Sequence, residues 1–321
     1  MDNLNGRAAA RRVGLAAGLA WTLAWALAWA LTLGAGMASG TAAAQATQGT
    51  QGTTSPPKEF VPSVGQPGKD VIWVPSPDRV VNRLLRMAEV KPTDLVIDLG
   101  SGDGKIAIAA AKDFGARARG LEYNPDMVTL SRQRAQQAGV ANRVEFRQAD
   151  IFASDFTDAN VITMYLLPTL NLRLRPILMK MKPGTRLASH SFDMGSWQPD
   201  ETSIVGAART FLWIVPANAA GDWRLANPAA GLPQNLSLRQ RYQKVQGEAA
   251  FGEIDASLEH VDLRGDVLRF SVRDAEGRIH NVAARVEGDR MIGSFALPGQ
   301  NPVNFEARRS TSPQSIEEPA S

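Results

Sequence analysis

The stretch LVIDLGSGDGKIAIAAAK, residues 95–112, constrains this chain more than any other. Apolar and β-branched residues run into Asp98, glycine stands at positions 100, 102 and 104, and an Ala/Ile-rich run follows. A strand that passes into a helix through alternate glycines lets backbone N–H groups approach a ligand, because no Cβ stands between. Strand-like runs at 94–99, 116–123, 143–150, 159–167 and 185–192 alternate with helical periodicity at 76–90, 105–114, 125–139 and 170–181. The least alternating runs, such as ANVITMYLL, are those a doubly covered sheet buries deepest. The pattern predicts an α/β domain with a parallel sheet and helices on both faces. Ser76 as N-cap and Pro77 as first helical residue start the first helix. Gly115 and Gly139 close the next two, and Pro176 bends or interrupts the last.

Three ligand classes use a glycine-rich turn of this kind. A phosphate-cradling loop requires G-x-x-x-x-G-K-[ST], and Leu99 and Ile106 break that pattern. A dinucleotide fingerprint requires G-x-G-x-x-G; here the third glycine arrives one residue early, which disfavours NAD or FAD and leaves them open. S-adenosylmethionine has no pyrophosphate, and its loop, acid-x-G-x-G-x-G, matches Asp98 to Gly104 in full. Glu122 ends the second strand run, where a carboxylate can hold two ribose hydroxyls. Asp150 follows the third, where it can accept a hydrogen bond from an adenine amino group. Both belong to the rim where open α/β sheets bind ligands.

Residues 218–308 read differently. Short alternating runs are punctuated by RGD, AEGR and EGDR, where glycine permits a hairpin turn. They predict a small antiparallel β domain, sandwich or barrel-like, with Trp223, Tyr242 and Phe270 spaced as its core. Nothing in it marks a ligand, and it reads as a binding module or a lid. The junction VPANAAGDW is rich in small residues, so few contacts are expected across it. At the other end, Arg7, Arg11 and Arg12 precede a long apolar run, and A-x-A patterns end at Ala44 and Ala46. Residues 1–44 therefore read as an export signal peptide or, uncleaved, a membrane anchor. Either way the rest crosses to the periplasm or the outer face of the cytoplasmic membrane. The Thr/Gln/Gly/Pro-rich residues 45–70 read as a disordered linker, and 309–321 as a disordered tail. A net charge of +3, with no lysine-rich run among aromatics, argues against a nucleic-acid partner. No cysteine is present, and His190, His260 and His280 lack metal-ligand spacing, so no metal is expected.

Over residues 71–217 the chain resembles class I S-adenosylmethionine-dependent methyltransferases, whose sheet is Rossmann-like. The segments WVPSPDRVV, DLGSGDGKIAIAAAK, LEYNPDMV, YLLP and KPGTRLASHSFDMGSWQPD carry a narrower likeness. They are similar to the membrane-anchored protein-lysine methyltransferase family that includes the mitochondrial ATP synthase c-subunit lysine methyltransferase. The resemblance implies S-adenosylmethionine as cofactor and a protein lysine as acceptor. It implies Gly100, Ser101, Gly102 and Gly104 at the cofactor's methionine end, with Asp98 at its amino group. Glu122 then takes the ribose, and Asp150 with Ile151 the adenine. The β domain and the export signal depart from that family.

Methyl transfer from a sulfonium is an in-line displacement that needs a neutral, positioned nucleophile and little covalent help. Tyr165, ending the fourth strand run, is the catalytic candidate: it either orients the amine or packs beneath a loop. Phe192, Trp197 and His190 read first as core side chains; the aromatic pair would otherwise complete a wall, and the histidine would be a base. The alternative function is an exported, non-catalytic nucleoside-binding protein that keeps the fold, because S-adenosylmethionine is made in the cytoplasm.

Overall fold

The computed structural model describes residues 60–229 and 231–316. The expected signal or anchor and residues 45–59 of the expected linker lie outside them. The described chain begins with the alternation that the sequence predicts: α1 (Asp78–Met87), β1 (Leu95–Leu99), α2 (Lys105–Phe114), β2 (Arg117–Glu122), α3 (Pro125–Gln137), β3 (Val144–Gln148), β4 (Val161–Met164), α4 (Pro168–Leu178) and β5 (Arg186–His190). A hairpin, β6 (Glu201–Val205) and β7 (Ala208–Ile214), completes a seven-stranded, Rossmann-like sheet of order β3-β2-β1-β4-β5-β7-β6. The sheet is mixed rather than wholly parallel. Only two residues join β6 to β7, too few for a crossover, so these two are antiparallel, and β7 also runs antiparallel to β5.

The two faces of this sheet are covered unequally. On one, α1, α2 and α3 pack Val80, Leu84, Ile106, Ala110 and Val128 against Val96, Val161 and Leu212. On the other, α4 supplies Leu174 and Leu178, and Phe156, Met194, Trp197 and Tyr242 complete the cover over Ile162, Leu187 and Trp213. Among the described residues, no helix is long and apolar enough to cross a membrane.

Local details correct the expected helix ends. Pro77 is the N-cap of α1 rather than its first residue, and it makes no side-chain cap. The Ser76 hydroxyl is instead 2.9 Å from His190 Nδ1, a partner 114 residues away. The helix α4 continues through Pro176 to Leu178.

The remaining strands are β8 (Gly221–Leu225), β9 (Asn235–Arg241), β10 (Lys244–Phe251), β11 (Ile254–Ser257), β12 (Glu259–Arg264), β13 (Val267–Arg273), β14 (Ile279–Glu287), β15 (Arg290–Ala296) and β16 (Val303–Arg309). They form one antiparallel sheet of order β11-β10-β9-β8-β16-β15-β14-β13-β12. Its ends curl together, with β10 against β12 and β11 against β13, so it is a nearly closed barrel rather than a sandwich. Strict alternation fills the inside: in β14, His280, Val282, Ala284 and Val286 are buried and the residues between them exposed. Trp223 and Phe270 join this core as expected, but Tyr242 does not. It stands in the turn between β9 and β10, and its ring enters the core of the first sheet.

Three further stretches differ from expectation. Residues 60–70, expected within the linker, carry a small hairpin: Gly65 N–H donates to Trp73 O and Trp73 N–H to Gln66 O, both at 2.9 Å. In the expected tail, Ile316 O accepts from Tyr242 N–H at 2.8 Å, and Gln314 O from Asn218 Nδ2 at 2.7 Å. At the junction after β7, Ala217 N–H donates to Gly265 O at 2.7 Å, one of several bonds between the two sheets.

Candidate active site

Residues 66–76 form one wall of a pocket whose other walls are the carboxyl ends of β1, β2 and β4 and the turn after β3. The glycine loop makes the floor. Gly100 and Ser101 N–H both donate to Leu121 O, at 2.9 and 3.0 Å. Gly102 has φ +53°, and a Cβ there would stand 2.7 Å from Trp73 Nε1, so the indole lies directly on the loop. Gly104 serves a different purpose from the one expected. At φ +81° it caps α2, and a Cβ would meet the Phe146 ring at 2.6 Å and Ser131 Cβ at 2.7 Å. It does not line the pocket; it lets the start of α2 pack against β3 and α3. Ser101 lines the pocket, and its Oγ is buried with no partner among the described residues.

Two acids meet the loop. Glu122, at the end of β2, accepts from Gly102 N–H through Oε2 and from Asn124 N–H through Oε1, both at 2.9 Å. Asp98 is buried at the end of β1 and accepts from Thr163 Oγ1 at 2.7 Å. Burial pushes its carboxyl up to about 7; the Thr163 hydroxyl opposes this, and the Asp103 and Glu122 carboxylates add to it. Among the described residues no cation balances Asp98, although Asp103 beside it is paired with Arg134.

At the third strand, Asp150 Oδ2 is 2.6 Å from Lys69 Nζ, and Oδ1 accepts from Phe152 N–H at 2.9 Å. The Lys69 hydrogen bond, with the backbone bond second, holds this exposed carboxyl below its ordinary range. Lys69 also lies 4.9 Å over the Tyr123 ring. Ile151 lines the same end. Lys69, Trp73 and Tyr123 were not expected here from the sequence. Trp73 lies within WVPSPDRVV and Tyr123 directly follows Glu122, but Lys69 sits in a stretch of linker composition and carries no signal.

Tyr165 lines the opposite end, and its hydroxyl has no partner among the described residues. Its ring lies 3.8 Å from the His190 ring and 6.2 Å from Phe192, with which it stacks. Phe192 lines the pocket; Trp197 does not, being fully buried beneath it. Desolvation pushes His190 down to about 4, so it is a neutral ring and a weakened base behind Tyr165.

An acid-led glycine loop, a second-strand carboxylate on that loop and a sheet of this order define a class: S-adenosylmethionine-dependent methyltransferases. The Asp98 carboxyl lines the pocket with no cation beside it among the described residues, which fits the cationic amino group of an amino acid moiety.

A family model described as the ANTKMT methyltransferase domain matches residues 98–201. A protein-lysine N-methyltransferase of Saccharolobus islandicus (strain REY15A) is 42% identical over 133 residues, covering 41% of this chain and 83% of that one. The ATP synthase c-subunit lysine N-methyltransferase of Mus musculus is 35% identical over 135 residues, 42% of this chain and 54% of that one. The chain thus spans most of the archaeal relative and about half of the mouse one. Among solved structures, an RNA methyltransferase from Salinibacter ruber in complex with S-adenosyl-L-homocysteine is 50% identical. It covers 44% of this chain and 94% of its own, with a TM-score of 0.44. The chain belongs to this methyltransferase family. It is an enzyme whose methyl donor is S-adenosylmethionine, and the non-catalytic alternative has no support.

Proposed function

We propose that the chain N-methylates a protein lysine. The observation that carries the reading is Tyr165: an unpartnered hydroxyl, among the described residues, at the pocket end away from Asp150, in an aromatic wall with Phe192. The names of the relatives support the acceptor class. When bound, the cofactor supplies a methyl group on a sulfonium. In this reading Asp98 takes its amino group, Gly100, Ser101 and Gly102 lie at its methionine end, Glu122 takes the ribose, and Asp150 and Ile151 take the adenine. Tyr165 orients the incoming amine. The apolar rim, including exposed Val74 and Leu167, lowers the lysine pKa and favours the neutral nucleophile. Neutral His190 fixes the tilt of the Tyr165 ring.

The test is transfer of a tritiated methyl group from S-adenosylmethionine to a panel of bacterial protein and RNA fractions. Label should enter protein and appear as methyl-lysine after hydrolysis. Tyr165→Phe should lower kcat by about 10–100-fold while affinity for S-adenosylhomocysteine holds. Label in RNA alone would overturn the lysine reading. The arginines before the apolar run support export of the folded part. A reporter active only outside the cytoplasm, fused after Ser321, should be active; activity of a cytoplasmic reporter alone would reject that location.

A further inference from the structure

On its second face the seven-stranded sheet has α4 as its helix, and Tyr242, from the other sheet, fills space beside Trp197 and Trp213. Trp197 belongs to residues 191–200, which leave β5 and carry Phe192 into the pocket wall. This segment is fastened from two sides. From α4, Asn171 Nδ2 donates to Phe192 O at 3.1 Å and Asp193 O at 3.2 Å, and Arg175 Nη1 donates to Met194 O and Ser196 Oγ, each at 3.1 Å. From the β domain, the Tyr242 hydroxyl lies 2.8 Å from Ser196 Oγ, and its ring stacks on Trp197 at 5.9 Å. Gln243 Oε1 accepts from Trp197 Nε1 at 3.0 Å, and Gln243 Nε2 donates to Gln198 O at 2.7 Å.

The turn holding these two residues is not shaped for solvent. Tyr242 has φ +52°, a backbone conformation rare for an aromatic residue and usual for Gly or Asn in a hairpin turn. Yet it is only 2% exposed. Such strain persists where the surroundings over-determine it, and functional sites are where it gathers.

We propose that the β9–β10 turn is part of the methyltransferase site, with Tyr242 and Gln243 as positioning residues. They set residues 191–200, and through them Phe192 against Tyr165. That this end takes the acceptor rests on the function proposed above; the positioning itself does not. The path runs from Tyr242 to Ser196 and Trp197, across the Met194–Trp197 bridge, to Phe192. The side chains of Tyr242 and Gln243 bond Ser196, Trp197, Gln198 and Asp200, and not the glycine loop, Glu122 or Asp150. The turn therefore governs one end of the pocket and spares the other.

The test uses the full chain with 4-fluorophenylalanine at position 192. Tyr242→Ala and Gln243→Ala should shift and broaden its fluorine resonance, and Tyr242→Phe, which keeps the ring, should move it less. Affinity for S-adenosylhomocysteine should stay within about twofold, as for sites without shared partners. An unchanged resonance in the folded variants would overturn the proposal. So would a loss of affinity beyond about tenfold, since the turn would then prop the whole fold. If the alanine variants do not fold, Tyr242→Phe and Gln243→Leu decide by the same readout, an unmoved resonance in both counting against it. No methyl transfer is needed, so a failed lysine assay leaves this result standing.

Discussion

At the cofactor end of the pocket, Gly102 bonds Glu122 20 residues on, Gly100 and Ser101 bond Leu121, and Asp98 meets Thr163 65 residues away. All of these belong to β1, β2, β4 and the loop after β1. At the other end, Ser196 and Trp197, which hold the segment carrying Phe192, each bond a residue 46 positions further on, in a different sheet. His190, behind Tyr165, bonds Ser76, 114 residues back. The first end is built from neighbouring strands of a single sheet around one strand–turn–helix step. The second is assembled from residues 191–200, which leave that sheet, and a turn of the other sheet, so it forms only when the two sheets meet. One protein thus presents a pocket with a floor built within one sheet and a wall assembled from two.

The largest effect should come from removing the wall's support. A chain ending at Ala217 loses Tyr242, Gln243 and Ile316 and uncovers Trp197 and Trp213, which are fully buried in the whole protein. It should aggregate or fail to melt cooperatively, and limited proteolysis of the full chain should yield no stable fragment ending there. A soluble, cooperatively melting fragment that binds S-adenosylhomocysteine would break the contrast between the two ends.

Next in size, Glu122→Ala should weaken S-adenosylhomocysteine binding by about 1–3 kcal/mol in a calorimetric titration, the scale for charged hydrogen bonds. Because this carboxylate also holds Gly102 and Asn124 N–H, an analogue without ribose hydroxyls should lose part of its affinity too. Full retention of analogue binding would assign the residue to the ribose alone.

Asp98 sharpens the comparison through pH. An unfolded aspartate titrates near 4, whereas burial holds Asp98 at about 7 in the folded chain. Between these values the folded state binds the extra proton, so without cofactor this group makes stability fall as pH rises from about 4 to about 7. A cationic amino group favours the ionised form, so affinity for S-adenosylhomocysteine should rise by about tenfold between pH 6 and pH 8. Asp98→Asn should flatten both trends; a wild-type pH profile in that variant would remove Asp98 from the amino-group role.

The smallest effect is expected at Lys69. Its pair with Asp150 is solvent-exposed, so Lys69→Met should change cofactor affinity by no more than about threefold, and less at high salt. A larger loss would show that residues 66–76 are a working part of the cofactor end.

The α/β alternation, the place of the loop and the carboxylates around it are legible in the residues alone. Those features are written in periods of a few residues and in close approaches that glycine allows, as at Gly102, where a Cβ would meet the Trp73 indole. The sequence also announced the change to antiparallel strands, through turn-spaced alternation. It did not set Gly104 apart from the other two glycines, because a glycine that packs against Phe146 looks the same in a string of letters as one that faces a ligand. That residues 66–76 wall the pocket, that β7 reverses beside β5, and that Tyr242 leaves its own barrel for the core of the other sheet emerge only in the folded chain. Each of these depends on which distant surfaces meet. A side chain's neighbours at a separation of 46 or 114 residues leave no period in the chain, since burial there is set by the shape of the partner rather than by local pattern.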